Sequence, residues 1–231
     1  MKKVLISGGN SGLGLQVTKL LLGKGYQVTI LGRDMQKLEL VSKEINSPNL
    51  NYIQCDLRNF ADIKAKVAEV TELDILINCA GIIDYKKLDE HDPQGIKDII
   101  DTNLLGPIFL TRQLLPVFKT QNSGTIMNVS STSGLLTGGH SEECAYVASK
   151  YGVTGFTETL RKEVIEQGKK IKVLGFFPGG MNTELFSKAG LDKDTSKFMD
   201  PKDIAEIVVF ILERPDSINM DNVVVNRNKG A

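Results

Sequence analysis

The sequence predicts an α/β fold, a doubly wound parallel sheet in a single domain spanning residues 1–231. Three observations carry this expectation. Six short β-branched or apolar runs, "KVLIS", "YQVTILG", "NYIQC", "LDILIN", "TIMNVS" and "IKVLGFF", alternate with longer amphipathic segments. Such runs suit parallel strands covered by helices on both faces. A glycine-rich stretch, "SGGNSGLG", directly follows the first run. Finally, 231 residues of which 41% are hydrophobic can bury one sizeable core and are few for two.

Taken in order, "KVLIS" is the first strand, and the turn after it places glycines at positions 8, 12 and 14. That spacing lets the backbone approach a pyrophosphate while the next helix aims its free N–H groups at it, as in a dinucleotide-binding Rossmann fold. The strand-to-helix context matters, because turns use glycine for many reasons. The second strand ends "ILGRD". A carboxylate near this point holds the ribose 2′-hydroxyl of NAD, whereas an arginine accommodates the 2′-phosphate of NADP. Gly32 stands at the usual acidic position and Arg33 follows, which favours NADP. Asp34 keeps NAD open, as a ribose ligand displaced by two residues or as the cap of the next helix. Near the end, "DPKDIAEIVVFILER" reads as a helix and "DNVVVN" as an edge strand.

Lys+Arg and Asp+Glu are 28 each, so the formal net charge is 0 and no global basic field argues for nucleic acid or an anionic membrane. A small ligand is the expected partner. The apolar run after the N-terminal lysines is too short for a signal peptide, and no segment reaches the roughly 20 apolar residues of a membrane span. Cys55, Cys79 and Cys144 lack metal-ligand spacing. The expectation is a reduced cytoplasmic protein without a metal site.

In "CAYVASKYG", Tyr146 and Lys150 are four residues apart and share one face of a helix. A phenol beside an ammonium is a proton donor usable nearer neutral pH. Equally, a packed tyrosine beside a solvated lysine gives the same spacing. The ordered set "SGGNSGLG", "CDL", "NCAG", Asn103, "NVSS", "YVASK" and "PGGMNT" resembles the short-chain dehydrogenase/reductase family over almost the whole chain.

That resemblance implies a catalytic tetrad. Tyr146 would exchange a proton with the substrate oxygen as hydride moves between nicotinamide and carbon. Lys150 would lower the Tyr146 pKa and bind the nicotinamide ribose. Ser131 would polarise the carbonyl, and Asn103 would hold a water linking Lys150 to solvent. The cofactor would touch Gly8, Asn10, Ser11, Gly12, Leu13, Gly14, Arg33, Asp56, Leu57, Asn78, Ala80, Gly81, Tyr146, Lys150, Pro178, Gly179, Met181 and Thr183. Asp56 would face the adenine, although "CDLRNFADI" also reads as a strand end and helix cap. The chain departs from the family pattern where Ser7 replaces a threonine and Cys79 the second asparagine of "NNAG". The Ser131–Tyr146 interval is also about two residues longer, a length a loop absorbs.

The expected function is therefore an NADP-preferring oxidoreductase interconverting a carbonyl and an alcohol on a small substrate. A cofactor-binding regulatory protein of the same fold, with little turnover, is the alternative. "GIIDYKK", "GLLTGGHSEE" and "NTELFSKAGLDKDTSKF" are the candidate substrate loops, the last as a lid carrying Phe186 and Phe198. His140, Glu142 and Glu143 either meet a polar substrate or keep their loop soluble. The resemblance also implies a homodimer or homotetramer, paired through the long helices near "LLGPIFLTRQLLPVF" and "AYVASKYGVTGFTETLRKEV".

Overall fold

The computed structural model describes residues 1–135, 141–190 and 194–228. Each of the six runs forms a strand, and "DNVVVN" supplies a seventh: β1 (Lys3–Ser7), β2 (Gln27–Gly32), β3 (Leu50–Gln54), β4 (Ile75–Asn78), β5 (Gly124–Val129), β6 (Ile171–Pro178) and β7 (Asn222–Val225). All pair in parallel, in the order β3-β2-β1-β4-β5-β6-β7. The helices are α1 (Gly12–Gly23), α2 (Met35–Ile45), α3 (Phe60–Lys66), α4 (Pro93–Ile100), α5 (Gly106–Gln121), α6 (Cys144–Glu166), the short α7 (Leu185–Lys188) and α8 (Pro201–Leu212).

Strand alternation divides the apolar residues between two cores. Val4 and Ile6 of β1 join Leu13, Val17 and Leu21 of α1, Leu38 of α2 and Ile204, Val208 and Leu212 of α8. Leu5, between them, faces Ile63 of α3, Leu110, Leu114 and Phe118 of α5, and Leu160 and Val164 of α6. Side chains such as Leu5, Ile30 and Phe118 are almost wholly enclosed, each contributing on the order of 2 kcal/mol of transfer free energy. The edge strand β7 alternates between exposed and half-buried positions, as an outer strand covered on one face should.

The chain winds outward from β1 to β3, then returns to place β4 on the other side of β1. At this reversal the loops after β1 and β4 diverge and a crevice opens at their carboxyl ends. Between α4 and α5 the helix widens into a π-helical turn, Asp101–Leu105, which carries Asn103. Insertions of this kind recur where a helix must present a side chain out of register. Among the described residues, no helix is long and apolar enough to cross a membrane, and no group of three or more His, Cys, Asp or Glu is placed to hold a metal ion.

Candidate active site

The crevice is a cleft of about 1550 Å³. Gly8, Asn10, Ser11, Gly12, Leu13 and Gly14 line one end of it. Gly8 has φ +71°, and a Cβ there would lie 2.8 Å from Ala80 Cα, while one on Gly14 would lie 2.3 Å from the Gly8 carbonyl oxygen. A side chain at either position would fill the cradle. Ser11 precedes α1 without a side-chain capping bond; the Gly14 N–H meets the Cys79 sulfur, and those of Gly12 and Leu13 are left for another acceptor. A diphosphate fits that arrangement.

At the end of β2 a Cβ on Gly32 would sit 2.8 Å from Asn10 Nδ2. The Asn10 amide thus occupies the space an acidic side chain would need. Asp34 caps α2, accepting from the Lys37 backbone N–H at 3.1 Å. Arg33 lines the cleft, as do Asp56 and Leu57, and its charge acts on the Asp56 carboxyl. Asp56 does not cap α3, a role taken by Asn59. It pairs with Arg58 at 2.7 Å, and Arg58 reaches on to Asp98 at 2.9 Å. The Arg58 hydrogen bonds hold the Asp56 carboxyl below its ordinary pKa.

Asn78, expected at the cofactor, and Asn103, expected to hold a water beside Lys150, are both buried off the cleft wall. Asn78 is buried and absent from the cleft lining; its amide donates to Thr111 Oγ1 at 3.0 Å and Asn128 Oδ1 at 2.8 Å. It ties β4 to β5 and α5. The loop it leads into is anchored by Ser7, whose hydroxyl accepts from the Cys79 and Ala80 backbone N–H groups at 3.1 and 3.3 Å. The hydroxyl kept at Ser7 thereby steadies the loop in which Cys79 stands for an asparagine. Asn103 is likewise buried and off the cleft wall. Its Oδ1 accepts from Ile82 N–H at 2.8 Å, and its Nδ2 donates to Ile82 carbonyl at 2.8 Å and Ser149 Oγ at 3.1 Å. Both amide hydrogens are spent, so a water held by this side chain is left only the second lone pair of Oδ1. Its role in the fold is to sew the π-turn to the β4 loop beside Gly81.

Tyr146, Lys150 and Ser131 do meet in the cleft, at the ends of β5 and β6. Tyr146 and Ser131 share a hydrogen bond, and Ser131 Oγ also accepts from Ser133 N–H at 3.1 Å. Lys150 Nζ lies 5.6 Å from the Tyr146 ring centroid and donates to the Val129 carbonyl at 3.1 Å. The ammonium does not depress the phenol here. Burial pushes the Tyr146 pKa up to about 12, with the Ser131 hydrogen bond opposing and the Glu143 charge adding to the rise. Burial pulls Lys150 down to about 8. Both shifts have the direction that removal from water gives a group that must ionise or stay ionised.

Pro178 ends β6, and Gly179, Met181 and Thr183 follow it along the cleft. Beyond them Phe186 packs edge-on to Phe198 at 5.3 Å and stacks with Tyr85 at 6.2 Å. Glu184, at the start of α7, is bridged to Lys37 at 2.8 Å and Lys188 at 2.9 Å; hydrogen bonds from these lysines hold its carboxyl down at about 2. His140 lies outside the described residues. Glu143 is 3% exposed and lines the cleft. Tyr85 donates a hydrogen bond to it, and burial together with the Glu143 charge pushes the Tyr85 pKa up. Sequence reasoning left Glu143 between meeting a polar substrate and keeping its loop soluble, and did not single out Tyr85. Only the folded chain joins the loop after β4 to the residue before α6.

Residues 2–194 match the family described as short chain dehydrogenase. An uncharacterized oxidoreductase of Staphylococcus haemolyticus is 30% identical over 225 residues, 96% of this chain and 95% of that one. Among solved structures, the closed form of a serine dehydrogenase complexed with NADP+ superposes with a TM-score of 0.88 at 27% identity, covering 96% of this chain and 94% of that one. A 3-ketoacyl-(acyl-carrier-protein) reductase from Brucella melitensis, complexed with NADH, gives a TM-score of 0.85 at 27% identity, covering 97% and 96%. The family match runs through β1 and β4, between which the glycine cradle lies. This chain belongs to the short-chain dehydrogenase/reductase family and is an NAD(P)-dependent oxidoreductase.

Proposed function

We propose that the protein interconverts a carbonyl and an alcohol on a small substrate, with NADP preferred and Tyr146 as the acid/base. The observation that carries this reading is the meeting of Tyr146, Ser131 and Lys150 in the cleft that the glycine cradle opens into. When bound, the nicotinamide supplies or takes the hydride. In the reducing direction Ser131 and Tyr146 both donate to the substrate oxygen, so that the negative charge arriving there meets aimed donors. Tyr146 then gives up its proton, and a phenol whose pKa is about 12 yields it to a more basic alkoxide. Lys150, bonded to the Val129 carbonyl, keeps hydrogens free for the nicotinamide ribose and carries charge into the site. Asn103 acts at one remove, by fixing the β4 loop and, through Ser149, the helix that bears Tyr146 and Lys150.

NADP preference is supported by Arg33 on the cleft wall, by the Asn10 amide standing against Gly32, and by Asp34 being engaged as the cap of α2. An arginine fork suits a 2′-phosphate. The protein acts as a dimer or tetramer built on α5 and α6; α6 leaves Tyr151 and Ile165 exposed, as a paired face would in the separated chain. A panel of carbonyls and alcohols assayed with NADPH, NADH and their oxidised forms tests the reading. Turnover of no member of the panel by a nucleotide-binding protein overturns it.

A further inference from the structure

Two carboxylates of the cleft wall, Asp56 after β3 and Asp98 in α4, share one arginine that is not itself part of the lining. Arg58 is half-buried and divides its fork between them. Its Nε and Nη2 donate to the two Asp56 carboxylate oxygens at 3.0 and 2.7 Å, and its backbone N–H adds a bond to Asp56 Oδ1 at 3.0 Å. Its Nη1 donates to Asp98 Oδ2 at 2.9 Å, 40 positions along the chain. The other Asp98 oxygen accepts from Gln94 Nε2 at 2.9 Å, and the Asp56 backbone N–H donates to Asp62 Oδ2 at 2.8 Å. A guanidinium held this way fixes the direction of both carboxylates as well as offsetting their charge.

The consequence falls on Arg33. It lines the cleft, and it acts on the Asp56 carboxyl through its charge, whereas the hydrogen bonds that hold that carboxyl come from Arg58. Its backbone carbonyl accepts from Gln54 Nε2 at 3.1 Å, and the neighbouring Asp34 is engaged as the cap of α2. A carboxylate within reach of an arginine competes for it with any phosphate brought to that arginine, and repels the phosphate as well. Asp56, Asp98 and Arg58 together carry one negative charge; without the arginine they would carry two.

We infer that Arg58 is a positioning residue for nucleotide selectivity: by holding Asp56 and Asp98 it leaves Arg33 to the 2′-phosphate of NADP and lowers the negative charge that this phosphate meets. The inference rests on the NADP preference proposed above and adds to it a residue from behind the cleft wall. Without Arg58, Asp56 turns to Arg33 and the phosphate loses its partner. NAD carries a hydroxyl at that position and loses little. The hydride step is untouched.

The test is nucleotide binding without substrate. NADPH and NADH are titrated by fluorescence, at one low ionic strength, against the parent, Arg58→Met, Arg58→Met/Asp56→Asn and Asp98→Asn proteins. The readout is the Kd for NADH divided by that for NADPH, which should exceed one in the parent. In Arg58→Met it should fall by about tenfold, the order of one charge-assisted contact, chiefly through weaker NADPH binding. The double variant removes one charge of each sign and should regain most of the lost ratio, because Asp56→Asn by itself alters an adenine contact common to both nucleotides. A merely structural Arg58 would weaken both nucleotides together, and a second substitution would not restore the ratio. Asp98→Asn keeps an acceptor for Arg58 and removes a negative charge, so its ratio should rise by about two- to threefold; it decides the matter where Arg58→Met does not fold. An Arg58→Met ratio equal to the parent's, a double variant no better than the single one, or an Asp98→Asn ratio no higher than the parent's overturns the inference and leaves the NADP preference standing. A parent ratio of one or below removes both.

Discussion

Replacing Lys150 by methionine should stabilise the protein while ending its use as a catalyst. The ammonium lies 5% exposed, and burial has brought its pKa from the ordinary 10.5 down to about 8. At pH 7 it is charged in both folded and unfolded chains, so that difference corresponds to a folded-state penalty of about 3 kcal/mol. Methionine removes the penalty and fills much the same volume. It also leaves the Val129 carbonyl without its 3.1 Å donor, which costs about 1 kcal/mol. A net gain of about 2 kcal/mol remains, or a rise in Tm of about 4–8 °C for a chain of this size. The pH dependence has a definite sign. Because the folded pKa lies below the unfolded one, the unfolded chain binds more protons between about pH 8 and 10.5, and parent stability rises with pH across that window. The advantage of Lys150→Met should therefore be full at pH 7 and shrink as pH rises. Thermal unfolding followed by circular dichroism at pH 7, 8 and 9.5, without nucleotide, measures it. A variant that melts below the parent at pH 7, or a gap that does not narrow by pH 9.5, refutes the account of a charged lysine held against its solvation.

Tyr146→Phe keeps the ring and the glycine cradle, so turnover should fall by about a hundred- to ten-thousand-fold while NADPH binding, read by fluorescence titration, persists; near-parental turnover would return the tyrosine to a packing role. Arg33→Ala should weaken NADPH binding by about tenfold or more and barely alter NADH, since only the former carries the 2′-phosphate; equal losses for both would count against a phosphate contact. Static light scattering at micromolar concentration should report a dimer or tetramer, and a monomer alone would exclude assembly through α5 and α6.

The inner strands were legible because they are apolar runs buried on both faces, a mark that a covered parallel strand leaves wherever it lies in the order. The glycine cradle was legible for a related reason: Gly8 and Gly14 are required by local backbone approach, within seven residues of one another. Tyr146, Lys150 and Ser131 were found through a motif, and they do converge. Less legible was the direction in which a side chain points once the chain has folded. Asn78 and Asn103 belong to the right segments, but their amides turn away from the cleft to join β4, β5 and the π-turn. The Tyr146–Lys150 spacing suggested a depressed phenol, and burial reversed the sign. The choice between roles for Asp34 needed the cap bond to Lys37 to be seen. The Tyr85–Glu143 contact links residues 58 positions apart through two loops without regular pattern, and no local spacing could announce it.

The reversal of winding at β1 and β4 also divides labour between the two halves of the chain. Gly8, Asn10 to Gly14, Arg33, Asp56 and Leu57 reach the cleft from before the reversal, and Tyr85, Ser131, Glu143, Tyr146 and Phe186 reach it from after it. The second set is carried mostly on connections outside the strands, whose lengths the sheet does not dictate. Such segments are exchangeable without disturbing the pairing of β1 with β4. A chimera carrying another relative's segments around Tyr85 and Phe186 should therefore inherit that relative's substrate, while the cradle from Gly8 to Gly14 and Arg33 keep this chain's nucleotide.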